Sequence, residues 1–116
     1  MTIKLKRVYD PVEPEDGYRV LVDRLWPRGV KKEEAHLDLW LRDVAPSPAL
    51  RKWFGHDPAR WEEFRQKYLD ELEELEEPIG VLREAEERVG TVTLLYAAKD
   101  LDHNHARVIA EFLGAG

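Results

Sequence analysis

The stretch that decides the fold is YRVLVDRLWPRG at residues 18–29. Its first half contains a continuous Val20-Leu21-Val22, which predicts a strand buried on both faces. Its second half gathers one carboxylate, two guanidinium groups, an indole and a Pro-Arg-Gly turn. Because a turn after a strand does not need so much charge and aromatic surface, we expect a functional site at the end of this strand.

Two further strands are predicted outward from this stretch. Period-two alternation over residues 3–9 predicts a half-exposed first strand, and the apolar run over residues 91–98 predicts a strand at the centre of the sheet. Apolar residues at helical spacing, together with N-cap, proline and glycine signals, predict five helices. These helices cover residues 32–44, 48–54, 58–77, 78–89 and a last segment that ends at Gly114.

The loop between the first two strands, residues 10–17, is too short for an ordinary parallel crossover. These strands are therefore either an antiparallel pair or not simple right-handed neighbours. Strands buried on both faces need helices on both faces, which predicts an α/β fold. We expect a compact three-layer sandwich, with a small mixed or mostly parallel sheet flanked by helices. The length of 116 residues predicts one domain over residues 1–116.

Composition excludes several classes of protein. The chain has no cysteine, which excludes disulfides, thiolate nucleophiles and cysteine-ligated zinc and fits a reducing cytosol. No apolar run approaches the roughly 20 residues of a membrane span, and residues 1–7 lack the apolar core of a signal peptide. A net charge of −6 argues against general nucleic-acid binding. We expect a cytoplasmic protein without membrane association.

The candidate site follows from strand direction. If the strands at residues 18–22 and 91–98 are parallel, their carboxyl ends meet at one edge, where open α/β sheets bind ligands. Arginines, a lysine and a helix N-terminus at that edge would form a cradle for an anion. The candidate ligand-binding residues are Arg24, Trp26, Arg28, Lys99, Asn104 and His56. The candidate acid–base residues are Asp23, Asp100 and His105.

Simpler structural roles compete with this interpretation. Asp–Arg pairs at strand ends often only connect a loop to the neighbouring segment of the chain. Trp26 could belong to the hydrophobic core. Asp102 and His103 could cap the last helix, and His105 could hydrogen-bond a strand-end carboxylate. Histidines two positions apart on a helix point to different sides, so His103 and His105 would not share a metal ion. We therefore predict no metal site and no cofactor.

Several segments resemble a known family. They are Lys6–Asp10 (KRVYD), residues 17–29 (GYRVLVDRLWPRG), residues 50–58 (LRKWFGHDP), residues 93–99 (TLLYAAK) and residues 104–106 (NHA). These segments identify the chain as similar to the YeaO-like family, which lies within the domain of unknown function family 488. The resemblance implies a compact α/β domain of bacterial and archaeal cytoplasm, and it implies no established activity.

The larger family also differs from this chain. It tends to carry a strand ending in Val-Asp-Val-Arg and a late Cys-x-Glu…Cys-His-Arg pattern. This chain has Val22-Asp-Arg24 at the first position and lacks both cysteines at the second. Thiol or metal chemistry that those cysteines suggest is therefore not carried over.

Three functional hypotheses remain open. The leading one is a small protein that binds an anionic small molecule at the carboxyl edge of its sheet. The second is a non-enzymatic module that contacts a protein or a nucleic acid through tryptophan and arginine side chains, and a homo-oligomer is compatible with it. The third is that the motif only stabilises the fold through a buried polar network, in which case losing Arg24 would lower the melting temperature sharply.

Overall fold

The computed structural model describes residues 2–114 and contains one four-stranded parallel sheet. The strands lie in the order β1-β4-β2-β3. Their bounds are Thr2–Arg7 for β1, Tyr18–Leu21 for β2, Leu39–Trp40 for β3 and Thr91–Tyr96 for β4. Because every neighbouring pair is parallel, the carboxyl ends of all four strands lie at the same edge.

The central strand is β4, as the sequence predicts. It pairs with β1 through Leu5 and Leu94, and with β2 through Val20 and Leu94. All of its residues except Thr91 are buried. The first two strands of the chain are thus parallel and are separated by β4, so they are neither an antiparallel pair nor neighbours in the sheet.

Five helices accompany the sheet. They are α1 (Lys32–Ala35), α2 (Pro48–Phe54), α3 (Trp61–Glu74), α4 (Glu76–Val89) and α5 (His105–Phe112). The predicted signals for α2 are confirmed, since the Ser47 side chain accepts the N–H of Leu50 and Gly55 ends the helix in a left-handed conformation. The start predicted at Asp57 is a 3-10 turn, Pro58–Arg60, that leads into α3.

The helix predicted over residues 32–44 is wrong. Only one helical turn, α1, forms, and it ends at His36 in a left-handed conformation. The chain then adds β3 to the free edge of β2, where Asp38 N–H donates to Arg19 O at 2.8 Å and Leu41 N–H donates to Leu21 O at 2.9 Å. Pairing with β2, a strand that is distant in the sequence, therefore overrides the helical spacing of the apolar residues. A 3-10 turn, Arg42–Val44, completes the segment.

The sheet has a thick and a thin hydrophobic layer. The main core lies between one face of the sheet and helices α2 to α5, and it includes Phe64, Tyr68 and Leu82. Leu21 and Leu95 belong to a smaller cluster that is covered by residues 26–40 instead of long helices. The α/β sandwich is confirmed, with a second outer layer made mainly of loop. Within residues 2–114, no helix is long and apolar enough to cross a membrane.

A buried ion cluster fixes the loop before β2. Asp16 and Arg19 are 2% and 4% exposed, and they form an ion pair. Lys6 Nζ lies 3.0 Å from the Asp16 carboxylate, and Arg19 also donates to the carbonyls of Ala35 and His36 at 3.1 Å each. The cluster therefore connects β1, β2 and α1 at a position distinct from the candidate site.

Candidate functional site

A cleft of about 280 Å³ opens at the carboxyl edge of the sheet. The segment after β2, the loop before α2, α2 itself, the residues after β4 and the start of α5 contribute to its walls. Its ionisable lining residues include three of the four histidines of the chain, two arginines and one carboxylate. They are His56, His103, His105, Arg24, Arg51 and Asp23.

Asp23 joins the ends of the two central strands. Its Oδ2 accepts the backbone N–H of Ala97 at 3.0 Å, and its backbone carbonyl accepts the indole N–H of Trp40 at 2.7 Å. Its Oδ1 lies 3.0 Å from His105 Nε2, yet that nitrogen hydrogen-bonds Val22 O at 3.1 Å. Since a carbonyl oxygen only accepts, Nε2 carries a proton. Asp23 Oδ1 is left buried without a hydrogen bond.

Arg24 extends from the same strand end into the wall of the cleft. Its Nη2 donates to the backbone carbonyls of Ala45 and Pro46 at 3.3 and 3.2 Å. Its Nε is buried and has no hydrogen-bond partner among residues 2–114. The guanidinium group is thus held at one end, while part of its hydrogen-bonding capacity remains unused.

Tyr68 lies beneath these two charged residues. It is fully buried in α3, and its hydroxyl donates to the carbonyl of Val44. Burial raises the pKa of Tyr68 well above its ordinary value; Glu71 and Asp23 raise it further, and Arg24 opposes them. The phenol is therefore neutral and structural, and it lies close enough to Asp23 and Arg24 to sense both charges.

Asp100 positions His103 but does not line the cleft. Its Oδ1 accepts the backbone N–H groups of Asp102 and His103, and its Oδ2 lies 2.9 Å from His103 Nδ1. The hydrogen bond from the Asp102 N–H and the bond to the His103 ring lower the pKa of Asp100. His103 packs edge-on against Trp61, with the ring centroids 5.3 Å apart.

Asn104 is the N-cap of α5 and is buried. Its side chain accepts the N–H of Arg107 and donates to the carbonyl of Asp100. The prediction that Asp102 and His103 cap this helix is wrong, because Asn104 takes that position. The rings of His103 and His105 lie beside different aspartates, Asp100 and Asp23, and no group of three His, Asp or Glu side chains suited to a metal ion occurs within residues 2–114.

Three of the predicted ligand-binding residues lie at the same edge of the sheet but outside the cleft. Trp26 donates its indole N–H to Val30 O at 2.7 Å and packs edge-on against Trp40 in the thin layer. Arg28 is exposed on the following turn, and Lys99 is exposed after β4. Their predicted contacts with a ligand therefore have no support from the geometry of this cleft.

The remaining predicted residue, His56, lines the cleft from the loop after α2. It is exposed, has a left-handed backbone conformation (φ 58°) and lies tilted against Phe54, with centroids 6.0 Å apart. Arg51 and Phe54 also line the cleft and were not among the predicted site residues. Their spacing of three residues on α2 puts them on one helix face, and this signal could have identified them.

Apart from Asn104, apolar side chains form the rest of the cleft lining. Phe54 and Phe64 stack with centroids 4.2 Å apart, and both are buried. Leu25 lines the cleft and is 60% exposed. The cleft thus combines charged groups with an apolar wall, which is typical of small-molecule sites.

Comparison with known proteins agrees with the resemblance noted in the sequence. The uncharacterized protein YeaO of Escherichia coli is 47% identical over 113 residues, which cover 97% of each chain. The uncharacterized proteins Rv3073c of Mycobacterium tuberculosis and Mb3100c of Mycobacterium bovis are each 40% identical over 111 residues, covering 96% of this chain and 92% of theirs. No solved structure matches the chain significantly. A family model described as the inactive DUF488-N3 subclade matches residues 2–115. The chain therefore belongs to the inactive DUF488-N3 subclade of the DUF488 family.

Proposed function

We propose that the protein binds a small anionic molecule in the cleft at the carboxyl edge of its sheet. The partly satisfied guanidinium of Arg24 carries this proposal. A guanidinium group that is only partly hydrogen-bonded in a concave site favours a carboxylate or phosphate, because charge-assisted bonds to such groups are strong. Arg51 adds a second positive charge to the lining.

Binding without turnover fits the site better than catalysis does. The family description calls this subclade inactive, and the chain lacks any cysteine. Two of the predicted acid–base residues, Asp23 and His105, form hydrogen bonds with the backbone groups of Ala97 and Val22, respectively. These contacts support a role in shaping the cleft. The absence of cysteine also fits a protein of the reducing cytoplasm, which is the location that we propose.

An interaction module that uses exposed tryptophans has less support. Trp26 is half-buried and bonded to Val30. Trp53 is half-buried too, and the cations of Arg60 and Lys67 lie over its ring at 5.3 and 4.3 Å. A docking surface is expected to expose a continuous apolar patch, so this arrangement favours the small-ligand site.

The proposal is tested by thermal shift and calorimetry on the wild type, Arg24→Gln and Arg83→Gln. Arg83 is exposed on α4 and does not line the cleft, so its variant controls for the loss of one positive charge. The probes are inorganic phosphate, adenosine monophosphate, succinate and 3-phenylpropanoate. A ligand at 100 times its Kd stabilises the folded state by about 2.7 kcal/mol.

We expect at least one of these anions to raise the Tm of the wild type and of Arg83→Gln. Arg24→Gln is expected to weaken its binding by about tenfold or more, since a hydrogen bond to a charged group contributes about 1.5–3 kcal/mol. The proposal is overturned if none of the four probes stabilises the wild type, or if Arg24→Gln responds as the wild type does.

A further inference from the structure

Two buried side-chain atoms in the wall of the cleft lack hydrogen-bond partners. They are Asp23 Oδ1 and Arg24 Nε, and no other buried side-chain nitrogen or oxygen within residues 2–114 is in this state. Buried polar atoms nearly always have a partner, so each exception calls for an explanation. Both atoms belong to consecutive residues that line the same cleft.

The surrounding protein satisfies only part of each charged group. Ala97 N–H occupies Asp23 Oδ2, while the proton of His105 Nε2 is directed to Val22 O. Arg24 Nη2 is held by two backbone carbonyls of the loop before α2. One acceptor of the Asp23 carboxylate and one donor of the Arg24 guanidinium therefore remain without a hydrogen bond on consecutive residues, with His105 Nε2 3.0 Å from the acceptor. Both atoms are shielded from solvent, although their residues line the cleft, so direct contact with a ligand requires the two side chains to rotate toward it.

A simple anion satisfies only one member of this pair. Its carboxylate would satisfy Arg24 but would also approach the Asp23 carboxylate, and like charges repel each other. A ligand that carries an ammonium group beside its carboxylate offers a donor to Asp23 and an acceptor to Arg24. Arg51 does not change this preference for a ligand with both charges. It is exposed on α2, so water screens its positive charge.

The rest of the cleft suits an apolar side chain. Phe54 and Phe64 form a stacked wall, and Leu25 lies exposed beside the opening. The volume of about 280 Å³ corresponds to about nine water molecules of liquid, which suits a ligand with a small apolar body.

The geometry points to an apolar α-amino acid as the ligand of this cleft. Its carboxylate binds Arg24, its ammonium group binds Asp23, and its side chain packs against Leu25 and the phenylalanine wall. This inference rests on the proposed function, keeps the carboxylate that Arg24 binds, and adds an ammonium group for Asp23.

The test compares three probes that share one apolar body. L-Phenylalanine has both charged groups, 3-phenylpropanoate lacks the ammonium group and 2-phenylethylamine lacks the carboxylate. L-Leucine, 4-methylpentanoate and 3-methylbutylamine form a second series with a smaller body. Binding to the full chain is measured by calorimetry at pH 7.5 and constant ionic strength, for the wild type, Asp23→Asn and the control Arg83→Gln.

In at least one series, we expect the amino acid to bind the wild type about tenfold or more tightly than its deaminated acid, and the amine to bind most weakly. Asp23→Asn is expected to reduce the advantage of the amino acid below about threefold, while Arg83→Gln retains it. Asparagine keeps an oxygen that can accept the Ala97 N–H, so the strand-end contact is preserved.

The possible failures are distinguishable. If the acid binds as tightly as the amino acid in both series, the zwitterion is wrong and the anion site stands. If the amine binds as tightly as the amino acid, Arg24 does not receive the carboxylate and the inference is also wrong. If neither the amino acids nor any of the acids and other anions bind, the proposed function fails together with the inference. Should Asp23→Asn not fold, the three-probe comparison on the wild type decides by itself.

Discussion

Replacing Arg24 by methionine separates a binding role from a structural one. Methionine keeps an unbranched apolar stem but removes the guanidinium group. If Arg24 serves a ligand, the fold should tolerate its loss. If the motif is a buried polar network that holds the fold, the loss should be severe.

The hydrogen bonds of Arg24 set the expected magnitude. Its two bonds, at 3.3 and 3.2 Å, are long and share one nitrogen, so losing them costs about 1–2 kcal/mol. Removing the buried, unpaired Nε relieves about 1–3 kcal/mol. These effects nearly cancel, and we expect the free energy of unfolding to change by no more than about 1 kcal/mol.

Arg19 provides the matched comparison, because its guanidinium group is satisfied. It bonds to Asp16, His36 and Ala35 and is 4% exposed. Arg19→Met leaves the Asp16 carboxylate buried with only part of its partners. Breaking a buried ion pair in this way costs about 3–5 kcal/mol. Arg19→Met should therefore lower the free energy of unfolding several-fold more than Arg24→Met does.

Urea denaturation followed by tryptophan fluorescence measures both variants. A shift of the midpoint with an unchanged m-value reports stability alone. For a chain of this length, 1 kcal/mol corresponds to about 4 °C in Tm. A loss of about 3 kcal/mol or more in Arg24→Met would refute the reasoning, because it would show that this arginine holds the fold.

Two further predictions concern the structure around the loop before β2. Burial by itself would raise the pKa of Asp16, but the N–H of Glu13 and two neighbouring cations outweigh it and lower that pKa below its ordinary value. The resulting stabilisation is present above about pH 4 and is lost as the pH falls through the lower pKa of the folded state. Asp16→Asn should therefore flatten the acid side of a plot of urea midpoint against pH, and an unchanged slope would contradict this. Gly17→Ala should cost about 3 kcal/mol or more, because Gly17 has φ 63° and a Cβ there would overlap the carbonyl oxygen of Thr91. Gly29→Ala, with φ 74° and nothing within 4 Å, should cost only about 1–2 kcal/mol in the same denaturation assay, and equal losses would argue against the overlap.

Local patterns were sufficient to predict the two inner strands and the caps of α2. The apolar runs at residues 18–22 and 91–98 predict β2 and β4, since such short, nearly continuous apolar runs are typical of strands buried on both faces. Ser47, Pro48 and Gly55 act through their own backbone and side-chain chemistry, which is visible in the sequence. Such signals depend on a few adjacent residues.

The strand β3 could not be predicted in the same way. Leu39 and Trp40 lie in a segment whose apolar residues have helical spacing, and they become a strand because β2 offers a free edge about 20 residues earlier in the chain. The backbone hydrogen bonds at that edge are gained only in the folded protein. Local propensity therefore predicted the wrong element here.

By itself, the sequence determined that Asp23, Arg24 and the residues after β4 follow two buried strands, so that they meet at one edge of the sheet if those strands are parallel. The structure shows that the strands are parallel. Only the tertiary structure decided which side chains enter the cleft. Trp26 packs against Trp40 on the other face of the sheet, and Arg28 remains exposed on the turn that follows. The physical reason is that the path of the chain after β2 is set by packing against β3, a strand that itself exists only through its contact with β2.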